Sequence, residues 1–141
     1  MATTVKKERL SLRAFLASDE AYAVWDDCHE WGDRWESGRC LFLALALQRA
    51  FPGGRLMVVW ANSVAAHVVY QLRDKCLDGG GVTTVAQLLA RWHREWMGTL
   101  ELVPYQPGWA ELSGLLTAAD AEKRLARLLQ QRVDLSLEDS A

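Results

Sequence analysis

The chain has 141 residues, half of them hydrophobic, with 16 basic against 18 acidic side chains and a formal charge of -2. That length predicts one domain able to bury about 68–70% of the surface its unfolded form exposes, and the composition excludes a disordered or low-complexity chain. So small a charge, with basic residues scattered among acids, gives no general attraction for phosphates or anionic lipid, so neither a nucleic-acid nor a membrane partner is expected. The longest apolar run, CLFLALAL at 40–47, is far short of the ~20 residues a bilayer requires, and the start MATTVKKERLSLRAF lacks the apolar stretch of a secretion signal. Three cysteines, Cys28, Cys40 and Cys76, at irregular spacing fit reduced thiols rather than a disulfide framework. The expected compartment is the cytoplasm.

Residues 1–10 read as a flexible N-terminus, 11–133 as a single domain and 134–141 as a flexible C-terminal tail. Ser11 is a candidate N-cap for one broken helix or two short ones, with Leu12, Phe15, Leu16, Tyr22, Val24 and Trp25 as apolar positions and Ser18-Asp19-Glu20 as a restart. Gly32 to Gly38 is a loop, and a second helix runs from about Arg39 to Phe51, where Pro52-Gly53-Gly54 stops it. That helix is apolar on every face, so protein must surround it, and it is the expected centre of the core. RLMVVWA, 55–61, reads as a buried strand. After Asn62-Ser63, HVVYQL (67–72) and KCLDGGG (75–81) read as an antiparallel hairpin around Arg73-Asp74.

Thr83 or Thr84 then caps a helix that packs Val85, Leu88, Leu89, Trp92 and Trp96 inward and exposes Gln87, Arg91, Arg94 and Glu95. TLELVPY reads as another strand, and a last helix opens near Thr117–Asp120 with Leu125, Leu128 and Leu129 inward. The expected fold class is α+β: a central buried helix on a small antiparallel sheet, flanked by N- and C-terminal helices.

The chemistry-bearing residues fall in an order that makes a site. Cys40 stands in the first turn of the buried helix, where unpaired N–H groups and the positive helix end favour a thiolate. A nucleophile needs a base, and His67 stands at the start of a strand; a base needs an orienting group, and Asp78 lies on the next strand. With Arg73-Asp74 as a two-residue turn, Leu72 pairs with Lys75, Gln71 with Cys76 and Val69 with Asp78. His67 and Asp78 then become diagonal neighbours on one face, about 7–8 Å apart at the backbone. A three-residue loop would reverse that parity.

Taken singly, each residue has a plainer reading: Cys40 as a small buried hydrophobe, His67 as a strand-end histidine, Asp78 as a turn residue before three glycines. Cys76 and His93 read as packing and solvated residues. Cys28-His29 with Cys40 and His67 lack the paired spacing of zinc ligands, so no metal and no other cofactor is expected. Trp92, Trp96 and Trp60 read as core, whereas Trp31 and Trp35 are candidates for the wall of a substrate cleft. The acids Asp26, Asp27, Glu30, Asp33 and Glu36 form a solvated face.

Gly38-Arg39-Cys40 opening an apolar helix, Ala66-His67-Val68-Val69-Tyr70 on a strand, and Cys76-Leu77-Asp78 followed by three glycines together resemble the papain-like superfamily of cysteine hydrolases. The Cys, His, Asp order is most similar to its transglutaminase-like branch, and the passage LDGGGVTTVAQLLARW resembles small bacterial and phage proteins with such a core. The likeness spans roughly residues 36–97. It implies Cys40 as nucleophile, His67 as general base and acid, Asp78 as the group orienting His67, and the Cys40 backbone N–H as one oxyanion donor.

The sequence departs from papain relatives in lacking Gln or Asn over 30–39, which leaves Trp35, Asn62 and Gln71 as candidates for the second donor. The expected activity is hydrolysis or acyl transfer at a peptide or small-molecule amide. The alternative is an inactive phage or mobile-element accessory protein that uses the same scaffold to bind or inhibit a protein partner.

Overall fold

A computed structural model describes residues 8–26, 40–61, 64–93, 98–106 and 119–137. Its centre is an antiparallel sheet of five strands, β1 (Arg55–Ala61), β2 (Val64–Leu72), β3 (Lys75–Asp78), β4 (Gly81–Thr84) and β5 (Leu100–Pro104), in the order β4-β3-β2-β1-β5. Helices α1 (Leu12–Leu16), α2 (Asp19–Asp26), α3 (Cys40–Ala50) and α5 (Ala119–Arg132) belong to the larger apolar cluster with one face of the sheet, and α4 (Val85–His93) covers the other. The α+β class therefore holds, with helices on both faces.

The local chemistry of the chain accounts for these elements. Ser11 caps α1, its Oγ accepting from the Ala14 N–H at 3.2 Å, and Ser18 restarts the chain as α2 by accepting from Ala21 at 3.3 Å. α3 is built from alanine and leucine, the strongest helix formers, and buries Leu41, Phe42, Leu43, Ala44, Ala46, Leu47 and Ala50. After it the chain turns sharply: Gly53 takes φ 110, a left-handed conformation that suits glycine. The buried Tyr70 hydroxyl donates to the Phe51 carbonyl and accepts from the Gly54 N–H at 2.8 Å, which ties the α3–β1 turn to β2.

The β2–β3 hairpin has the expected two-residue turn, with Leu72 opposite Lys75, Gln71 opposite Cys76 and Tyr70 opposite Leu77. Arg73 supplies the positive φ of 57 that such a turn requires. β2 begins at Val64, three residues earlier than expected, because every residue of β1 from Arg55 to Ala61 finds a partner on it. The glycine run is not one strand: Gly79-Gly80 form a turn and Gly81, at φ 102, opens β4, which pairs with β3. Thr84 caps α4 in a reciprocal box with Gln87, its Oγ1 accepting from the Gln87 N–H at 3.1 Å while its own N–H donates to Oε1 at 2.9 Å.

The boundaries at 10 and 134 are tied together. Leu10 bridges Val133 in parallel, the Leu10 N–H donating to Arg132 at 2.7 Å and the Asp134 N–H to Leu10 at 2.9 Å. Among the described residues no helix is long and apolar enough to cross a membrane.

Candidate active site

Alternation along the strands decides which side chains meet. On β2, Val68 and Tyr70 face the larger cluster, so Val69 and His67 face α4; on β3, Leu77 faces the larger cluster, so Cys76 and Asp78 face α4. The ladder between β1 and β2 shifts register where Val59 opposes His67 and Trp60 opposes Ala65, leaving Ala66 as an extra residue in β2. Such a bulge re-aims the neighbouring side chain, and here that side chain is His67. The β2–β3 ladder ends at Tyr70 and Leu77, so β2 runs on beyond it. To this stretch α3 brings its first residue, Cys40, whose sulfur is hydrogen-bonded by the Val68 backbone.

His67 and Asp78, each 2% exposed, are joined by Nε2 and Oδ2 at 2.8 Å. An ionised carboxylate only accepts, so Nε2 carries a proton and, in the neutral ring, Nδ1 holds the free lone pair. Nδ1 is buried and has no hydrogen-bond partner among the described residues. The Cys40 side chain is the other polar group that acts on the ring electrostatically. The thiol is thus the natural source of the proton Nδ1 can take.

The electrostatics reinforce that transfer. Burial alone pushes the Cys40 thiol up, but its interaction with the positively charged His67, and with the backbone of Val68 and Leu41, outweighs it and holds the thiol below its ordinary value of 9.0. Burial would lower His67, yet its hydrogen bond to Asp78, its interaction with Cys40 and the negative charges of both raise it from 6.5 to about 9. Burial works against the Asp78 carboxylate too, but His67 and then Arg91 hold it below the usual carboxylate range. Both shifts run toward a thiolate beside an imidazolium.

Two residues of α4 complete the site. The Arg91 guanidinium pairs with Asp78 Oδ2, which corrects the expectation that Arg91 points to solvent: its side chain is only 31% exposed. Trp92 stacks on the His67 ring with centroids 4.7 Å apart and planes 29° from parallel, screening the buried charges from water. The signal for Arg91 was its place three residues after the buried Leu88, on the border of the apolar stripe of α4.

Gln71 is not brought into this constellation. It lies four residues past His67 at the hairpin end, about 13 Å along the strand, with Nε2 donating to the Arg73 carbonyl. No oxyanion role follows for it. Trp31, Trp35 and Asn62 lie outside the described residues, as do Trp96, Arg94 and Glu95. Cys76 is fully buried, and burial first, then the Asp78 charge, pushes its thiol up to about 11, which makes it inert packing. His93 is exposed, and among the described residues no cluster of His, Cys, Asp or Glu is arranged to hold a metal ion.

Compared with known proteins, the chain matches no family model, no curated protein and no solved structure.

Proposed function

We propose that the protein is a papain-like cysteine enzyme, with the Cys, His, Asp order of the transglutaminase-like branch, that transfers an acyl group from an amide through Cys40. The observation that carries this reading is the convergence of Cys40, His67 and Asp78 from a helix and two strands, with the His67–Asp78 bond at 2.8 Å and the thiol held below its ordinary range. The Cys40 thiolate attacks the carbonyl carbon, and the carbonyl π electrons move onto oxygen. The Cys40 backbone N–H, at the first residue of α3, would supply one donor to that oxyanion. When the C–N bond breaks, the amine leaves with the proton of His67 Nδ1, and a thioester remains on sulfur.

Neutral His67, its ring held by Asp78, then takes a proton from water or an incoming amine as that group attacks the thioester. The sulfur departs as thiolate and the proton on Nδ1 restores the ion pair. Peptide bonds and side-chain or small-molecule amides are the substrate class, with hydrolysis the expected outcome.

Acylation by an activated aryl ester tests the reading. A burst of one equivalent of phenolate, with the thioester found on Cys40 by mass spectrometry, is expected in the wild type. It should be absent in Cys40→Ala and slower by about 10²–10⁴ in His67→Ala. Acylation no faster than that of a free thiol would contradict the enzyme. Together with a retained thiolate, it would favour a scaffold that only binds a protein partner, a reading to which the absence of Gln and Asn over 30–39 lends some weight.

A further inference from the structure

The carboxylate of Asp78 is more fully held than a simple orienting group needs. Oδ2 accepts from both His67 Nε2 and the Arg91 guanidinium, while Oδ1 accepts from the Gly80 N–H at 2.9 Å, so the carboxylate plane is fixed from both ends. Room for this comes from Gly80: a Cβ there would fall inside the Arg91 guanidinium and close to Asp78 Oδ1. Gly80 does not adopt a left-handed φ, so its lack of a side chain serves the guanidinium rather than the backbone.

The charges alternate through the cluster. Sulfur from α3, imidazole from β2, carboxylate from β3 and guanidinium from α4 run negative, positive, negative, positive, and among the described residues Cys76 is the other titratable group against them. The α4 layer otherwise presents Trp92 to His67, and β1 opposes it with Val59. Without Arg91, a buried site with a thiolate would carry a net negative charge, which low dielectric strongly disfavours.

The geometry points to Arg91 as a positioning residue of the proposed enzyme: through Asp78 it holds the imidazole aimed at Cys40 and balances the buried charge that the thiolate requires. This rests on the thiolate–imidazolium reading above, and deepens it. Arg91 touches no reacting atom. Its effect is carried by the carboxylate, which it keeps ionised and stationary.

The test is the rate of alkylation of Cys40 by iodoacetamide against pH, with the modified residue identified by mass spectrometry, in wild type, Arg91→Met, Arg91→Lys, Gly80→Ala and the Gly80→Ala/Arg91→Met double variant. In Arg91→Met the rate at about pH 6 is expected to fall about tenfold, while the limiting rate at high pH stays within about twofold, so the profile moves to higher pH. Arg91→Lys should recover most of the loss. Gly80→Ala, which displaces the guanidinium without removing it, should move the profile the same way and add nothing in the Arg91→Met background.

A folded Arg91→Met protein whose profile overlays the wild type would overturn the role. If Arg91→Met does not fold, Gly80→Ala decides in its place, and an unmoved profile there has the same meaning. A wild type with no enhanced reactivity at low pH would instead remove the ion pair itself. The two failures are therefore separate results.

Discussion

The two faces of the sheet are built on different principles. On one, α1, α2, α3 and α5 gather Leu12, Phe15, Leu43, Leu47, Tyr70, Leu125 and Leu129 into the larger core. On the other, α4 covers a smaller patch, Met57, Val59, Val69, Cys76 and Leu88, and beside it lie His67, Asp78, Arg91 and Trp92. Burying charge costs free energy unless each charge is matched, so the face with the polar cluster depends on the other for much of its stability. Cys40 belongs to a helix of the thick layer, yet its sulfur meets a ring that faces the thin one. In the proposed enzyme the larger layer supplies the nucleophile, and the charged layer tunes it.

The division is broken most severely by truncating one leucine on each side. Leu47→Ala, two turns or about 10 Å along α3 from Cys40, should lower unfolding free energy by about 2–5 kcal/mol in urea titrations and leave the pH profile of Cys40 alkylation in place. Leu88→Ala should cost a comparable amount and also move that profile, because Leu88 seats the helix that carries Arg91 and Trp92. Equal effects on the site from both would erase the distinction.

The pH dependence of stability sharpens it further. His67, raised from 6.5 to about 9, contributes stability that is fully present below 6.5 and lost as pH rises through 9. Cys40, lowered from 9.0, contributes stability present above 9.0 and lost as pH falls through its folded value. Between 6.5 and 9, wherever the folded Cys40 is ionised, the two offset, since folded and unfolded chains each hold one proton on the pair, and Asp78 adds a loss only in acid, below its ordinary 3.8. Urea unfolding should therefore show a plateau from about pH 6.5 to 9 and a fall below it, and His67→Gln should remove the part of that fall lying above the carboxylate range.

Smaller effects belong to the turns. Tyr70→Phe removes the hydroxyl that serves Phe51 and Gly54, and should cost about 1–2 kcal/mol in the same titrations with no change at Cys40. Arg73→Gly relieves a positive φ in the hairpin turn and should raise stability by about 0.5–1 kcal/mol.

What the sequence alone discloses follows the range of the forces involved. The caps at Ser11, Ser18 and Thr84, the all-apolar α3 and the two-residue turn at Arg73-Asp74 are local, and the turn sets the parity that brings His67 and Asp78 to one face. β4 escaped because Gly79 to Gly81 resemble a strand continuation, and only the positive φ of Gly81 shows the reversal. Arg91 escaped because a helix pattern sorts apolar from polar residues and cannot see that a buried carboxylate on another strand needs a cation. The bulge before His67 has no sequence signature either, being a consequence of pairing with β1.

The account rests on a protonated imidazole beside a deprotonated sulfur, and an NMR titration of the His67 ring nitrogens observes this directly. Wild-type protein at about pH 8 should show both ring nitrogens protonated, and the ring should give up its proton near 9. A neutral ring at that pH, titrating at or below its ordinary 6.5, would contradict the ion pair on which the proposed chemistry rests.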